Sequence, residues 1–481
     1  MMLKCRMMKW MAGMLLCTGI VFSAGAEDPA GVRDTLRAEQ ADTLQAERAE
    51  QVERADSTDA PAGKVEINLE QALAIALSDN PTIIVAGMEI ELKKEANREA
   101  YAGLFPDVSL SGSYSRTLKK QTMVMDFNGQ SQSIQIGTDN SYSGGLAVSL
   151  PVFAPALYRS INLTKSDVEL AVEKSRSSRL GMINQVTKAY YQLLLAQDSY
   201  DVLLKSYRQA EANFNVVNEM FKQGLVSEYD KIRADVQVRS LTPNVVSARN
   251  GVNLAKLQLK VLMGIDRDIQ LEIVGNLKDY EEKLFENELN NKNYSLDGNS
   301  DLRQMDLNAV MLKQNLELQK TNYMPTLGAS FNYMYTSLNN DFKVSHYNWF
   351  PYSSIGLSLT VPLFRASTVP KIRQAGIRLR QLEETRQNTE RMLNMQVQSF
   401  LNSMTASAEQ VLSNRESILQ AEKGRLIAQK RYEVGKGTIL ELNDSEVALT
   451  QTQLTYNQSV FDYLTAKADL EQVLGYDDAV K

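Results

Sequence analysis

The chain has 481 residues, 43% of them hydrophobic and 23% charged, with 52 basic against 58 acidic side chains. Its net charge of −6 argues against a nucleic-acid binder, which presents a basic face or stripe. Both cysteines, Cys5 and Cys17, fall in the first 26 residues, and His346 is the single histidine, so cysteine chemistry in the remainder, two-histidine catalysis and multi-histidine zinc sites are excluded.

Residues 1–26 read as a secretory signal. Lys4, Arg6 and Lys9 precede an apolar run from Trp10 to Phe22, and Ala24-Gly25-Ala26 has the small-x-small pattern of a cleavage site. The run is too short for a membrane anchor, which needs roughly 20 residues. Cys17 leaves a lipoprotein option open, although Leu16 before it is bulkier than such a site prefers. Residues 27–64 are rich in acids and poor in large apolar side chains, and read as a solvated, disordered extension of unknown role. No later stretch can span a bilayer as a helix, so any membrane insertion must use strands.

The rest of the chain contains itself twice. An offset of 219 relates Asn80 to Asn299, Pro106 to Pro325 and Tyr114 to Tyr333. An offset of 211 relates Pro151 to Pro362, Phe153 to Phe364, Phe221 to Tyr432, Gly224 to Gly435 and Gly264 to Gly475. Landmarks sharing an offset mark two copies of one unit, 65–264 and 299–481, joined by a segment over 265–298.

Each copy repeats the same order. An amphipathic helix over roughly 69–103, or 300–323, comes first. Two strands follow, at about 107–119 and 141–150 in the first copy and about 326–337 and 350–361 in the second, separated by a polar loop. Their apolar residues alternate with serine, threonine and glycine, as in Val108-Ser109-Leu110-Ser111 and Ile355-Gly356-Leu357-Ser358. Pro151 and Pro362 are expected to end the second strand of each pair. Very long helical patterns then run over about 157–221 and 366–432, roughly 100 Å each. Gly224 and Gly435 break them, and helices resume to about 263 and 474. In the last, Leu442, Leu449, Tyr456, Tyr463 and Leu470 recur every seven residues, a coiled-coil signal.

Four strands with one apolar face form a sheet with open edges, an aggregation hazard unless closed. Each strand has about the ten residues of a membrane-barrel strand, and closure needs at least eight strands, so the chain must oligomerise. Tyr142, Tyr333, Tyr335, Tyr347, Trp349, Phe350 and Tyr352 suit an aromatic girdle at the lipid interface. The same aromatics would also fill a soluble sandwich. Two short helices of each copy sum to about the length of its long one, so stacked end to end they would make columns of equal height. A coiled-coil envelope protein without a conduit is the alternative; it accounts for the heptads but not for the duplicated strand pairs. Absence of a nucleophile–base set, metal cluster or phosphate loop gives no reason to expect an enzyme or a cofactor.

The residues also resemble a known family, the TolC-like outer-membrane efflux proteins. The run from Ile67 to Leu77 followed by Asn80-Pro81 looks like the family's N-terminal helix signature. Leu104-Phe105-Pro106 and Tyr323-Met324-Pro325 resemble its helix-to-strand junctions, and Leu150-Pro151-Val152-Phe153 and Val361-Pro362-Leu363-Phe364 its strand-to-helix junctions. Phe221-Lys222-Gln223-Gly224 and Tyr432-Glu433-Val434-Gly435 resemble its two periplasmic hairpin tips. Leu262-Met263-Gly264 and Val473-Leu474-Gly475 resemble its repeat ends. The resemblance implies a mixed fold of α-helices and a membrane β-barrel: a homotrimer with a twelve-strand outer-membrane barrel in lipid on a twelve-column α-helical periplasmic tunnel. Residues 265–298 would then belong to an equatorial collar. It implies a passive exit channel of a tripartite efflux or type I secretion system, docked to a periplasmic adaptor protein and an inner-membrane transporter.

The family narrows at the tip, where acids after the second tip glycine form rings. Glu441 and Asp444 stand there, six and nine after Gly435, on one helix face. Acids near a helix start are also favoured simply by the helix dipole. The resemblance implies a closing link between Asp230 and Tyr432. Where the family often carries a basic residue, this chain has Gly437, with Lys436 as a possible substitute. Gly224, Leu225, Gly435 and Thr438 are the implied adaptor-docking tips, and His346 reads as an exposed loop residue.

Overall fold

The computed structural model describes residues 65–127, 130–266, 269–281, 294–342 and 347–476. The signal stretch 1–26 with Cys17, the acidic stretch 27–64 and His346 lie outside the described residues.

A short strand β1 (Val65–Ile67) leads into α1 (Leu69–Asp79). Asn68 starts the helix with a reciprocal cap: its side-chain oxygen accepts from Gln71 N at 2.8 Å, and Gln71 Oε1 accepts from Asn68 N at 3.1 Å. The single helix expected over 69–103 breaks at Asn80, and α2 (Pro81–Ala102) leaves at 44°. Pro81 explains the break. It has no N–H for a carbonyl one turn back, and at the first position of a new helix none is needed.

Next come β2 (Asp107–Arg116), β3 (Gln121–Phe127), β4 (Gln130–Ile136) and β5 (Asn140–Phe153). The β3–β4 hairpin stands where a polar loop was expected. Then follow α3 (Pro155–Lys222), α4 (Glu228–Met263) and β6 (Leu271–Ile273). The second copy supplies α5 (Ser300–Lys320), β7 (Thr326–Asn339), β8 (Phe350–Thr360), α6 (Thr368–Glu433) and α7 (Ile439–Leu474). At 68 and 66 residues, α3 and α6 are each about 100 Å long. Among the described residues no single helix is long and apolar enough to cross a membrane.

The main sheet has four antiparallel strands in the order β2-β5-β7-β8. Its register builds apolar cross-strand rows: Val108–Val148–Phe331–Ile355, and Leu110–Leu146–Tyr333 beside it. The edge-strand members of these rows are open to solvent, with Leu110 83% and Ile355 85% exposed. The opposite face carries Ser109, Ser111 and Ser113 in line with Ala147, Gly145 and Ser143. The register divides the expected aromatic girdle. Tyr142, Tyr333 and Tyr335 share the apolar face, but Tyr352 pairs with Met334 and Phe350 with Thr336, on the serine-bearing face. Pro351 and Ser353 stand opposite Tyr335 and Tyr333, which leaves Phe350 and Tyr352 on the other face.

Pro151 does not end its strand. β5 continues to Phe153 with an irregularity between Pro151 and Phe153. Since β2 begins at Asp107, opposite Ser149, β5 is already an edge on that side at Pro151, where a missing N–H is tolerated.

In the helical part, α3 pairs with α4, α6 pairs with α7, and α3 also packs along α7. The heptad residues Leu442, Tyr456, Tyr463 and Leu470 are buried, and Leu449 is half-buried. The main core joins Val186, Tyr190, Leu193 and Leu194 of α3 to Leu73, Leu259, Met404, Val460 and Tyr463. Strand β1 pairs in parallel with β6, which fixes the inter-repeat segment beside this core. Tyr456 donates to Glu281 Oε2 at 2.7 Å and Tyr190 donates to the Val274 carbonyl at 3.0 Å, tying the same segment to the helices.

The short helices are spliced by two equivalent asparagines. Asn80 Oδ1 accepts from Thr82 N at 2.7 Å to start α2, while Asn80 Nδ2 donates to the Leu262 carbonyl at 2.8 Å near the end of α4. Asn299 does the same: Oδ1 accepts from Leu302 N at 2.9 Å, and Nδ2 donates to the Val473 carbonyl at 2.7 Å. One side chain therefore satisfies an orphan donor of one helix and an orphan acceptor of the other. Gly475 closes the second joint with φ +75, and a Cβ there would lie 2.0 Å from the Gly298 carbonyl oxygen.

Candidate functional site

The two helical hairpins have the same tip, built from backbone chemistry. Gly224 and Gly435 follow α3 and α6 with φ +71 and +70, a left-handed conformation that glycine adopts without strain. Leu225 N then donates to Met220 O at 2.9 Å, and Lys436 N to Arg431 O at 2.8 Å, capping the final carbonyls. Ser227 and Thr438 are the N-caps of the returning helices. Their hydroxyls accept from Asp230 N and Glu441 N, each at 3.2 Å. Asp230 and Glu441 are therefore first-turn acids, three residues past a cap, where the helix dipole favours negative charge.

From that shared start the two acids diverge. Asp230 turns back on its own cap, accepting from Ser227 N at 3.2 Å and Ser227 Oγ at 2.7 Å. Glu441 lies 3.5 Å from Arg431 Nη1 in a half-exposed ion pair. Arg431 also donates to the Lys436 carbonyl at 3.2 Å. Sequence reasoning looked for the tip cation at Lys436 and missed Arg431, which precedes Tyr432 and lies outside the motif. Gly437 has a local reason: a Cβ there would press on Arg431 Cβ at 3.0 Å and Tyr432 N at 3.1 Å. Asp444 is exposed on the helix that carries Glu441.

Tyr432 packs against a small tip core of Val217, Ala234, Ile439 and Leu442. Its hydroxyl is buried and has no hydrogen-bond partner among the described residues. Burial pushes its pKa up, and the Asp230 charge nearby adds to the shift. The Asp230 charge thus reaches Tyr432, but the Asp230 carboxylate accepts from Ser227 at the start of its own helix. Around the tips Leu225 and Val434 are 68% and 66% exposed, and Gly224, Gly435 and Thr438 are exposed with them.

An antiparallel sheet with an exposed apolar face, carried on long paired helices, fits a channel-type outer-membrane protein better than a coiled-coil spacer. The chain belongs to the outer membrane efflux protein family, whose model matches residues 72–265 and 293–476. It is 22% identical over 434 residues to the outer membrane protein TolC of Escherichia coli strain K12, covering 85% of this chain and 82% of that protein. The TolC of Vibrio cholerae is 20% identical over 413 residues, covering 85% and 90%. In fold, the chain is similar to the Campylobacter jejuni CmeC outer membrane channel, with a TM-score of 0.68 at 18% identity, covering 85% and 87%. The Vibrio cholerae outer membrane protein VceC gives 0.67 at 17%, covering 85% and 96%.

Proposed function

We propose that three copies of this chain form one exit duct, a twelve-strand barrel in outer-membrane lipid on a tunnel of twelve helical columns. It passes substrates passively from a periplasmic adaptor and an inner-membrane transporter to the exterior. The observation that carries this reading is the sheet. Its apolar face is exposed, and among the described residues its outer strands β2 and β8 each have a partner on one side only. Four alternating strands leave β8 of one copy antiparallel to β2 of the next, so a ring of copies closes without a change of pattern. The serine-bearing face would then line water. The exposed tip residues Gly224, Leu225, Gly435 and Thr438 are the proposed adaptor contact.

The detergent-purified protein, reconstituted in a planar bilayer, is expected to give discrete conductance steps. A folded, oligomeric preparation that gives none would overturn the duct.

Closure of the tip is proposed to use Tyr432 and Asp230. The Tyr432 hydroxyl has no partner among the described residues and lies within the field of the Asp230 carboxylate, the acceptor it would use once the two approach. A hydrogen bond to a charged group is worth about 1.5–3 kcal/mol, so losing it should raise the open population roughly tenfold or more. Cells carrying Tyr432→Phe with Asp230→Ala are expected to admit more large antibiotic and dye. Unchanged uptake, with normal amounts of assembled protein, would count against the link.

A further inference from the structure

The apolar face of the main sheet changes character along its strands. Nearer the helices lie the rows Val108–Val148–Phe331–Ile355 and Leu110–Leu146–Tyr333. The Tyr114–Tyr142 pair follows on the same face, six residues beyond Val108, or roughly 20 Å along the strand. The next row of that face is Arg116–Asn140–Asn339. Apolar, then aromatic, then cationic and amide side chains is the order found where a lipid-facing wall reaches the headgroup level. β2 leaves the helices at Asp107, so Arg116 stands at the far end of the sheet.

That far end is held in place. The ring centres of Tyr114 and Tyr142 lie 4.7 Å apart, and those of Tyr142 and Tyr347 5.1 Å apart. Buried Asn140 accepts from the Tyr114 hydroxyl at 2.9 Å and donates through Nδ2 to the Asp341 carbonyl at 3.1 Å. Tyr347 donates to the same carbonyl at 2.7 Å. These bonds fix the backbone beside Phe342, and the Arg116 guanidinium carbon lies 5.0 Å from the centre of the Phe342 ring. Arg116 is exposed and makes no hydrogen bond or ion pair among the described residues. A guanidinium held by its face keeps its N–H edge for a partner. Lys119, on the bend after β2, is also exposed and unpaired among the described residues. Lys120 is taken by Asp139 at 3.1 Å. Arg116, Lys119 and Lys120 outnumber Asp139 and Asp341 by one charge.

We propose that this rim binds the phosphate of a lipid headgroup in the outer leaflet. Arg116 grips the phosphate with its planar fork, Lys119 adds a second charge, and the acyl chains lie on the Leu110–Leu146 and Val108–Val148 rows. The site rests on the proposed placement of the sheet in outer-membrane lipid, which sets its far end at the outer leaflet. A guanidinium already stacked on Phe342 loses little freedom when the phosphate arrives.

The test is native mass spectrometry of the detergent-purified full chain titrated with diphosphoryl lipid A. The same lipid stripped of both phosphates, and inorganic phosphate alone, serve as comparators. The phosphorylated lipid is expected to bind saturably, about tenfold more tightly than either comparator. Arg116→Gln with Lys119→Gln is expected to weaken it about tenfold or more and leave binding of the stripped lipid unchanged. Arg116→Lys, which keeps the charge and loses the fork, should fall between the two. Equal binding of the stripped lipid would mean acyl contact only and overturn the proposal. So would equal binding by the Arg116→Gln/Lys119→Gln protein, or inorganic phosphate binding as tightly as the lipid. Planar-bilayer recordings of the same preparation keep this site separate from the duct: conductance steps without a phosphate preference overturn the site and leave the duct standing.

Discussion

Replacing Asn299 by alanine is expected to lower the unfolding free energy by about 2–4 kcal/mol. Loss of the N-cap contributes about 1 kcal/mol, and a carbonyl left buried and unmet adds about 1–3. Both terms apply because Asn299 is only 4% exposed and serves Leu302 N and the Val473 carbonyl together. Asn80→Ala, at the equivalent joint with 5% exposure, should cost a similar amount. The two sites share no partner, so the double variant should show the sum. Substitution of either asparagine by aspartate separates the two functions. It keeps the acceptor for the cap but sets a carboxylate oxygen against the carbonyl, so it should be at least as harmful as alanine. Denaturant midpoints of the purified variants measure all of these costs. A cost near zero would mean that helix packing alone holds the joints.

The second large effect is expected at the acidic tip, on the proposed reading that three copies surround a pore. Glu441→Gln with Asp444→Asn removes six carboxylates from the ring. Unit charges 4 Å apart interact by about 4 kcal/mol at an effective dielectric of 20, so even partial loss of such terms should weaken divalent-cation block tenfold or more. Cation selectivity should fall with it. The Arg431–Glu441 pair supplies an opposite control. Arg431→Gln leaves Glu441 uncompensated and should make the pore more cation-selective than wild type. Bilayer recordings with and without magnesium decide both. If selectivity and block stay unchanged in the acid-free variant, the duct can stand but the ring cannot.

The features readable from sequence are those written in periodicity. Alternation marked β2, β5, β7 and β8 because each has one apolar face, and the shared offsets of Asn80 with Asn299 and Gly224 with Gly435 displayed the duplication. Features set by a pairing partner were harder to see. β4 is Gln- and Ser-rich and carries apolar residues only at Ile134 and Ile136, too short an alternation to mark a strand without its pairing with β3. Asn128-Gly129 between them is a hairpin dipeptide that could have revealed it. The bend at Asn80 was visible as Asn-Pro, yet hydrophobic spacing ran through it. Pro151 was read as a terminator by residue type, while its tolerance depends on where β2 starts. At the tip, the motif located Glu441 and Tyr432. Arg431 became apparent only when the chain turned back on itself and brought α6 beside the first turn of α7.

The asparagine joints have a consequence for chain connectivity. Each joins two points within the same repeat: Asn80 meets the end of α4, and Asn299 the end of α7. The beginning and end of a repeat thus lie against each other, and each repeat is nearly a closed loop. A module of this kind can be duplicated head to tail with only a short linker. The same adjacency makes each repeat a natural substrate for circular permutation, with new termini opened at an exposed loop and the old ones ligated across the joint.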